Sequence, residues 1–284
     1  MEDYVIVTAA RNEEKFIADT ILSMVAQTVR PIRWVIVSDG STDATDEIVG
    51  RFAKDHDFIT LLSNNGDASR NFGSQVRAIN AGIEKLKHLS YGFIGNLDAD
   101  ITLDADYYQT MLKRFGGNER LGVAGGYVCE KLKGEFKSRK YNRPHQVPHA
   151  IQLFRRACFE EIGGYIALPY GGPDWVAEVT ARMNGWEVRA FPELRVYHHR
   201  MTISAEGMIR GGFRQGLMDY TVGSHPLFEI LKCASRITLK PYLIHALSRM
   251  AGFAAGYCRA EKRYVTQPFI SYLRQEQLRR LHLQ

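Results

Sequence analysis

Cysteine is scarce in this 284-residue sequence: Cys129, Cys158, Cys233 and Cys258 stand far apart and form no C-x-x-C pair. Four scattered thiols are too few to staple a chain of this length, so reduced cysteines in a cytoplasmic setting are expected. The opening residues, Met1 followed by two acids and a strand-like run, lack the basic and apolar regions of a secretion leader. No uninterrupted apolar run reaches the roughly 18 residues that would span a bilayer. The greasiest stretch, Pro241–Cys258, is broken by His245 and Arg249. Internal repeats, low-complexity linkers, zinc-finger spacings and RNP-type patterns are all missing, which argues against nucleic acid as a partner.

What remains is the composition of a folded protein with a basic lean. With 45% apolar and 24% charged residues, the chain has enough apolar surface to bury a large core. A formal net charge of +6 and a pI near 9.1 favour anionic partners, whether a nucleotide diphosphate, an acidic membrane face or nucleic acid, and charge alone does not choose among them.

The apolar pattern alternates between strand and helix. Tyr4–Thr8 is a β-branched run, followed by the loop Ala9–Glu14, after which Phe16, Ile17, Thr20, Ile21, Met24 and Val25 recur at helical spacing. Trp34–Ser38 is a second strand, Asp39–Asp43 a turn, and Ala44–His56 a helix. A third strand is expected over Phe58–Leu62, a long helix over Arg70–Lys87, and a fourth strand over Tyr91–Leu97. Parallel strands need such crossover helices, so the pattern predicts a mostly parallel, Rossmann-like α/β sheet with helices on both faces. Ligands of such sheets gather at the carboxyl ends of the strands. The polar clusters Arg11–Glu14, Asp39–Asp43 and Asp98–Asp100 all fall at that edge. From Gly122 the rhythm loosens, with a further helix over Trp175–Asn184, and beyond Ser204 the chain turns helical and basic.

Asp98 and Asp100 flank a single alanine at a strand end. Two carboxylates so placed suit a hard cation, Mn²⁺ or Mg²⁺, which takes oxygen ligands and is usually completed by substrate phosphates. Asp174, in Gly171-Gly172-Pro173-Asp174-Trp175, stands at a helix start where it can cap the helix, take a proton, or do both.

Four motifs in order carry a resemblance: Val7–Glu14, Val37–Thr45, Ala68–Gly73 and Asn96–Asp100. Together they resemble the family 2 glycosyltransferases of GT-A fold, over roughly Val5–Arg200. The resemblance implies an inverting transfer of a sugar from a nucleotide diphosphate donor to an acceptor hydroxyl. By it, Ala9, Arg11, Glu13 and Asp39 hold the nucleoside, Arg70 approaches the donor, Asp98 meets the ribose or the metal, and Asp100 binds the metal. Asp174 becomes the catalytic base, although Pro173 stands where the family usually has glutamate. A histidine after a short strand completes the metal site, His198 being the first choice and His199 the second. It further implies a glycan or lipid-linked acceptor in bacterial cell-surface polysaccharide assembly.

The expected organisation is a GT-A domain over 1–203, with a donor half at 1–121 and an acceptor half at 122–203, and a basic helical appendage over 204–284. The appendage's apolar face and positive charge offer a surface to an anionic membrane or to a second copy in a homodimer, so the chain is expected to be cytoplasmic, with peripheral attachment to the inner membrane face as one arrangement. Two other classes fit the sequence less well. A sugar nucleotidyltransferase would carry a glycine-rich phosphate loop after the first strand, and Thr8–Glu14 has no glycine. A non-catalytic nucleotide-sugar binder would be free to lose Asp98, Asp100 or Asp174, and all three are present. No G-x-G-x-x-G follows a strand, which excludes a dinucleotide dehydrogenase.

Overall fold

The computed structural model describes residues 3–64, 72–132, 134–200, 207–235 and 243–282. Its contacts divide the chain into two compact units, one made of 1–167 with 173–201, the other of 168–172 with 202–284. The short segment 168–172 thus leaves the first unit and returns to it at Pro173.

The first unit is built on β1 (Tyr4–Ala10). Its side chains alternate between two cores: Tyr4 and Ile6 join one cluster, Val5 and Val7 the other. A strand apolar on both faces needs helices on both, as parallel sheets do. β2 (Arg33–Asp39) repeats the pattern, with Trp34 and Ile36 on one side and Val35 and Val37 on the other. β3 (Ile59–Asn64), β2, β1 and β4 (Phe93–Asn96) pair in parallel in that order. The crossovers are α1 (Ile17–Val25), α2 (Thr45–Asp55) and α3 (Phe72–Glu84).

Beyond β4 the sheet becomes mixed. The sequence continues with β5 (Ile101–Leu103), α4 (Tyr107–Gly116), β6 (Leu121–Leu132), β7 (Glu135–Ser138), β8 (Leu153–Arg155), α5 (Arg156–Glu161), α6 (Pro173–Met183) and β9 (Glu187–His198). β8 joins β4 antiparallel, and the sheet runs on through β6 and β9 to β5, nine strands among the described residues. β6 and β9 are parallel to each other, whereas β5 lies antiparallel to β9. α6 begins at Pro173, two residues before the expected Trp175, because proline is tolerated where the helical N–H has no partner.

The second unit holds α7 (Met208–Thr221), α8 (Pro226–Ala234), α9 (Ile244–Cys258) and α10 (Gln267–Arg280). α7 and α9 touch at backbone distance. A Cβ placed on Gly216 would lie 1.9 Å from the Arg249 carbonyl oxygen, and one on Gly252 would lie 1.9 Å from that of Phe213. Across this close contact Arg249 reaches Asp219 and, at 2.8 Å, Glu229, while Lys232 pairs with the same two acids. Removing one partner of such a buried set strands the others without solvation. Gly252→Ala is expected to destabilise this unit by about 1–3 kcal/mol, the usual cost of overpacking, since the obstacle is backbone and cannot rotate away. Urea denaturation followed by tryptophan-independent far-UV dichroism measures it; a midpoint equal to wild type would contradict the close packing.

Candidate active site

The loops after β1 and β2 are tied to each other before any ligand enters. Asn12 adopts a left-handed backbone, φ 57°, and its Oδ1 accepts the Thr42 N–H at 2.8 Å. The Glu13 N–H donates to Thr45 Oγ1 at 2.8 Å and the Glu14 N–H to Asp43 Oδ2 at 3.1 Å. In return the Ala44 N–H donates to Glu14 Oε2. Desolvation would raise the Asp43 carboxyl, but donors from Thr45 and Glu14 hold it below its ordinary value. Asp43 is therefore occupied in structure, while Asp39, at the end of β2, is half-buried beside it.

The Asp98-Ala99-Asp100 segment is held by its middle residue. Ala99 is buried in the core and its carbonyl accepts the Thr20 hydroxyl of α1 at 2.8 Å. The Asp98 N–H donates to the Ala150 carbonyl, and the Asp100 carbonyl accepts the His199 N–H, both at 3.0 Å. Ala99 and Asp100 form the turn between β4 and β5, with Asp98 half-buried before it.

Asp100 is only 7% exposed. His198 Nε2 lies 3.3 Å from its Oδ1 and Arg200 Nε 3.4 Å from its Oδ2. Arg200 also bonds Glu13 and lies over the Phe16 ring at 5.4 Å. Glu13 is pushed up to about 7: burial raises it most, Arg200 pulls it back, and Asp100, Asp98 and Asp43 raise it further. Arg200 is thus shared between Glu13 and Asp100. An open cleft of about 490 Å³ lies against Arg200 and the first loop, lined also by Lys15 and Phe16. The Nη1 of Arg11 is buried without a hydrogen-bond partner among the described residues.

His149, absent from the sequence expectations, bridges the remaining two carboxylates. It sits in a 3₁₀ turn, His149–Ile151, before β8. Its Nδ1 is 3.7 Å from Asp98 Oδ1, and its backbone N–H donates to Asp174 Oδ2 at 3.2 Å. Burial alone would lower this imidazole, yet Asp98 and Asp174 carry it above its ordinary value. Asp98 in turn is lowered despite burial, chiefly by His149 and then by His198 and Arg139. Gln75 Nε2 donates to Asp98 at 3.2 Å. The His149 Nε2 is buried and has no partner among the described residues.

The turn carrying His149 is braced from below. Asn96 donates to its carbonyl, and the Tyr165 hydroxyl lies 2.5 Å from Asn96 Oδ1 and 2.6 Å from Gln152 Oε1. Glu178, one turn along α6 from Asp174, accepts the Val147 N–H at 2.6 Å and Gln152 Nε2 at 3.2 Å. Glu178 is enclosed, 2% exposed, whereas Asp174 is half-buried at the helix start. Of the two, Asp174 is the more exposed.

Burial pushes Glu178 up to about 8, with the Asp174 charge adding to it and the Val147 N–H, Arg182 and Gln152 opposing. Between its ordinary value of 4.5 and 8, the folded chain keeps a proton that the unfolded chain has released, so stability falls as pH rises through this window. Glu178→Gln removes that titration while keeping an acceptor for Val147. Relative to wild type the variant is expected to gain on the order of 3 kcal/mol between pH 5 and pH 8, read from urea midpoints at the two pH values. A constant difference across the window would mean that Glu178 is ionised in the fold.

The residues present suit a divalent cation of the Mn²⁺ or Mg²⁺ kind. They offer two carboxylates between β4 and β5 and one imidazole in contact with Asp100. Among the described residues no three acidic, imidazole or thiol groups form a ready coordination set, which is the usual situation for ions completed by phosphate and water. His198, rather than His199, turns its ring to Asp100; His199 Nε2 pairs with Thr102 Oγ1 at 2.8 Å. Arg139 lies 3.0 Å from His198 Nδ1 and can only donate, which places the imidazole proton on Nε2. Binding a cation through Nε2 would require Arg139 to withdraw, and its ion pair with Glu130 at 2.8 Å gives it an alternative. Arg70 lies outside the described residues. Ala9 is half-buried near the end of β1, on the edge where these loops converge.

A parallel half-sheet with acidic loops at its carboxyl edge, extended by a mixed half that carries the second acidic set, is the GT-A glycosyltransferase architecture. The same fold is seen in a mannosyltransferase from Pyrobaculum calidifontis, PcManGT, solved with GDP-Man and Mn²⁺, with TM-score 0.57 at 15% identity over 99% of this chain and 81% of that one. It is seen again in S. aureus TarS 1-349 in complex with UDP-GlcNAc, with TM-score 0.59 at 13% identity over 95% of this chain and 79% of that one. The model of glycosyl transferase family 2 matches residues 5–167, and the chain belongs to that family. Among curated relatives, the poly-beta-1,6-N-acetyl-D-glucosamine synthase of Staphylococcus epidermidis is 34% identical over 203 residues, covering 64% of this chain and 45% of the relative. The chain thus spans less than half the length of that relative.

Proposed function

We propose that this glycosyltransferase is inverting and metal-dependent, moving a sugar from a nucleotide diphosphate donor to a hydroxyl of a glycan or lipid-linked acceptor in polysaccharide assembly. The observation that carries the proposal is the His149 bridge, with Asp98 on one side and Asp174 on the other. It sets a strand-end acidic group and a helix-start carboxylate at two sides of one residue, so that one group can attend the leaving diphosphate and the other the attacking hydroxyl.

In this reading Asp98 and Asp100, with His198 after Arg139 withdraws, would hold Mn²⁺ or Mg²⁺. When bound, such a cation neutralises charge growing on the leaving diphosphate. Asp39, Ala9, Arg11 and Glu13 line the nucleoside side, the unpaired Arg11 nitrogen offering a donor to an anion. Arg70 is assigned to the donor by family resemblance alone. Asp174 accepts the acceptor hydroxyl's proton as that oxygen attacks the anomeric carbon, and the His149 N–H keeps its carboxylate oriented.

UDP-N-acetylglucosamine is the first donor to test, given the printed names of the synthase relatives and the TarS complex. A panel of UDP-, GDP- and dTDP-sugars is assayed for hydrolysis and transfer with Mn²⁺, Mg²⁺ or EDTA. Turnover of one nucleotide class that EDTA abolishes supports the proposal; metal-independent turnover, or none with any donor and oligosaccharide acceptor, refutes it.

A further inference from the structure

The second unit carries the chain's entire positive excess. It contains twelve Lys and Arg against five Asp and Glu, a net +7 in a chain whose total is +6, so the first unit is close to neutral. Two of those acids do not face outward. Asp219 and Glu229 are buried and turned onto Arg249 and Lys232. Arg210, Arg259, Lys262, Arg279 and Arg280 are exposed.

On this basic unit two helices present apolar faces to solvent. Along α9 the exposed positions are Ile244, Leu247, Ala251, Ala254, Tyr257 and Cys258. They recur at three- and four-residue steps and so form one stripe, opposite Gly252 and Gly256, which pack on α7. The sole charged side chain of α9, Arg249, is buried. Along α8 the exposed residues Leu227, Ile230, Leu231 and Ala234 make a second stripe at the same spacing. Leu247 is 64% and Ile230 51% exposed, and Ile209, at the start of α7, is 64% exposed. Isolated exposed leucines are ordinary, but charge-free stripes on neighbouring helices mark an interaction surface.

We infer that α8 and α9 form a docking surface for an anionic lipid bilayer, lying in the headgroup layer with their apolar stripes inserted. Charge decides the occupant. A second copy would bring another +7 against the first and be repelled, whereas an anionic leaflet attracts exposed Lys and Arg and accepts the apolar stripes beneath them. No helix among the described residues is long and apolar enough to cross a membrane, so attachment lies along the surface. The inference does not rest on the proposed chemistry of the first unit.

The full chain is floated with vesicles of phosphatidylcholine alone or with about 30% phosphatidylglycerol, at about 0.05 M and 0.5 M salt. Expected is recovery with the anionic vesicles at low salt, and roughly tenfold less with neutral vesicles or at high salt. Cys258 is exposed while Cys129, Cys158 and Cys233 are buried, so a polarity-sensitive dye on Cys258 should shift to the blue on the same vesicles. The double variant Ile230→Glu, Leu247→Glu should lose roughly tenfold in recovery with unchanged dichroism and melting, because a charge is costly below the headgroups. Ile230→Ser with Leu247→Ser, which adds no charge, should lose less but in the same direction. The inference is overturned by equal soluble recovery with both vesicle types at low salt, or by binding that neither double variant weakens. A wild-type dimer in sedimentation that the glutamate variant dissociates would also overturn it, assigning the stripes to a second copy.

Discussion

Asp100→Ala is expected to abolish the divalent-cation dependence of nucleotide binding. Asp100 is the most enclosed carboxylate of the strand-end group, in contact with both His198 and Arg200. Its removal takes away one oxygen ligand of the proposed cation and leaves Arg200 with Glu13 as its acidic partner. Mn²⁺ and Mg²⁺ sites of this kind rest on one or two protein carboxylates beside phosphate and water, so each carboxylate carries a large share of the ion's attachment to the protein. Calorimetric titration of UDP with and without Mn²⁺ measures the effect. Wild type should bind at least about tenfold tighter with the ion and the variant equally in both conditions, a difference of about 1.4 kcal/mol or more. A variant that keeps the full metal-dependent gain would remove Asp100 from the cation's ligands.

Asp174→Asn should separate binding from chemistry. Asparagine keeps an oxygen to accept the His149 N–H, so the turn that also contacts Asp98 stays in place and donor affinity is retained. It cannot take a proton from the acceptor hydroxyl. General-base catalysis typically contributes at least about a hundredfold, so transfer should fall by that factor or more, about 2.7 kcal/mol in the barrier. Single-turnover transfer beside a donor titration distinguishes the outcomes. Near wild-type transfer would leave Asp174 as a helix cap and move the base elsewhere; enclosed Glu178, braced by Val147 and Gln152, is poorly placed to be it.

The parallel half of the fold was legible because β1 and β2 are apolar on both faces, a pattern only two-sided burial explains. The acidic clusters were legible for a related reason: they interrupt that pattern where the strands end. The mixed half was not. β5 and β8 are three residues each, too short to show a period, and they exist through pairing with β9, β4 and β6. His149 escaped notice because a histidine between proline and alanine has no local signature. Its role depends on a 3₁₀ turn held by Asn96 and Tyr165 from two other segments and by Gln152 at its own end. The pairing of Arg200 with Glu13 joins positions 187 residues apart, and no window of sequence contains both. Arg70 falls outside the described residues.

The strand after the paired aspartates has consequences for how this site comes into being. Among the described residues β5 pairs with β9 alone, and the contact of Thr102 with His199 closes 97 residues of chain. Contacts so distant in sequence form slowly, since the chain must surrender loop entropy before they reward it. Asp98 and Asp100 are encoded early, and on a ribosome they emerge long before the partners that fix them. Ala150, His198, His199 and Arg200 must all arrive first. A fragment cut after β5 would therefore contain both aspartates and the Thr20 anchor of Ala99 yet lack Ala150, His198, His199 and Arg200, so the acidic centre is a late product of folding rather than a module that can be excised.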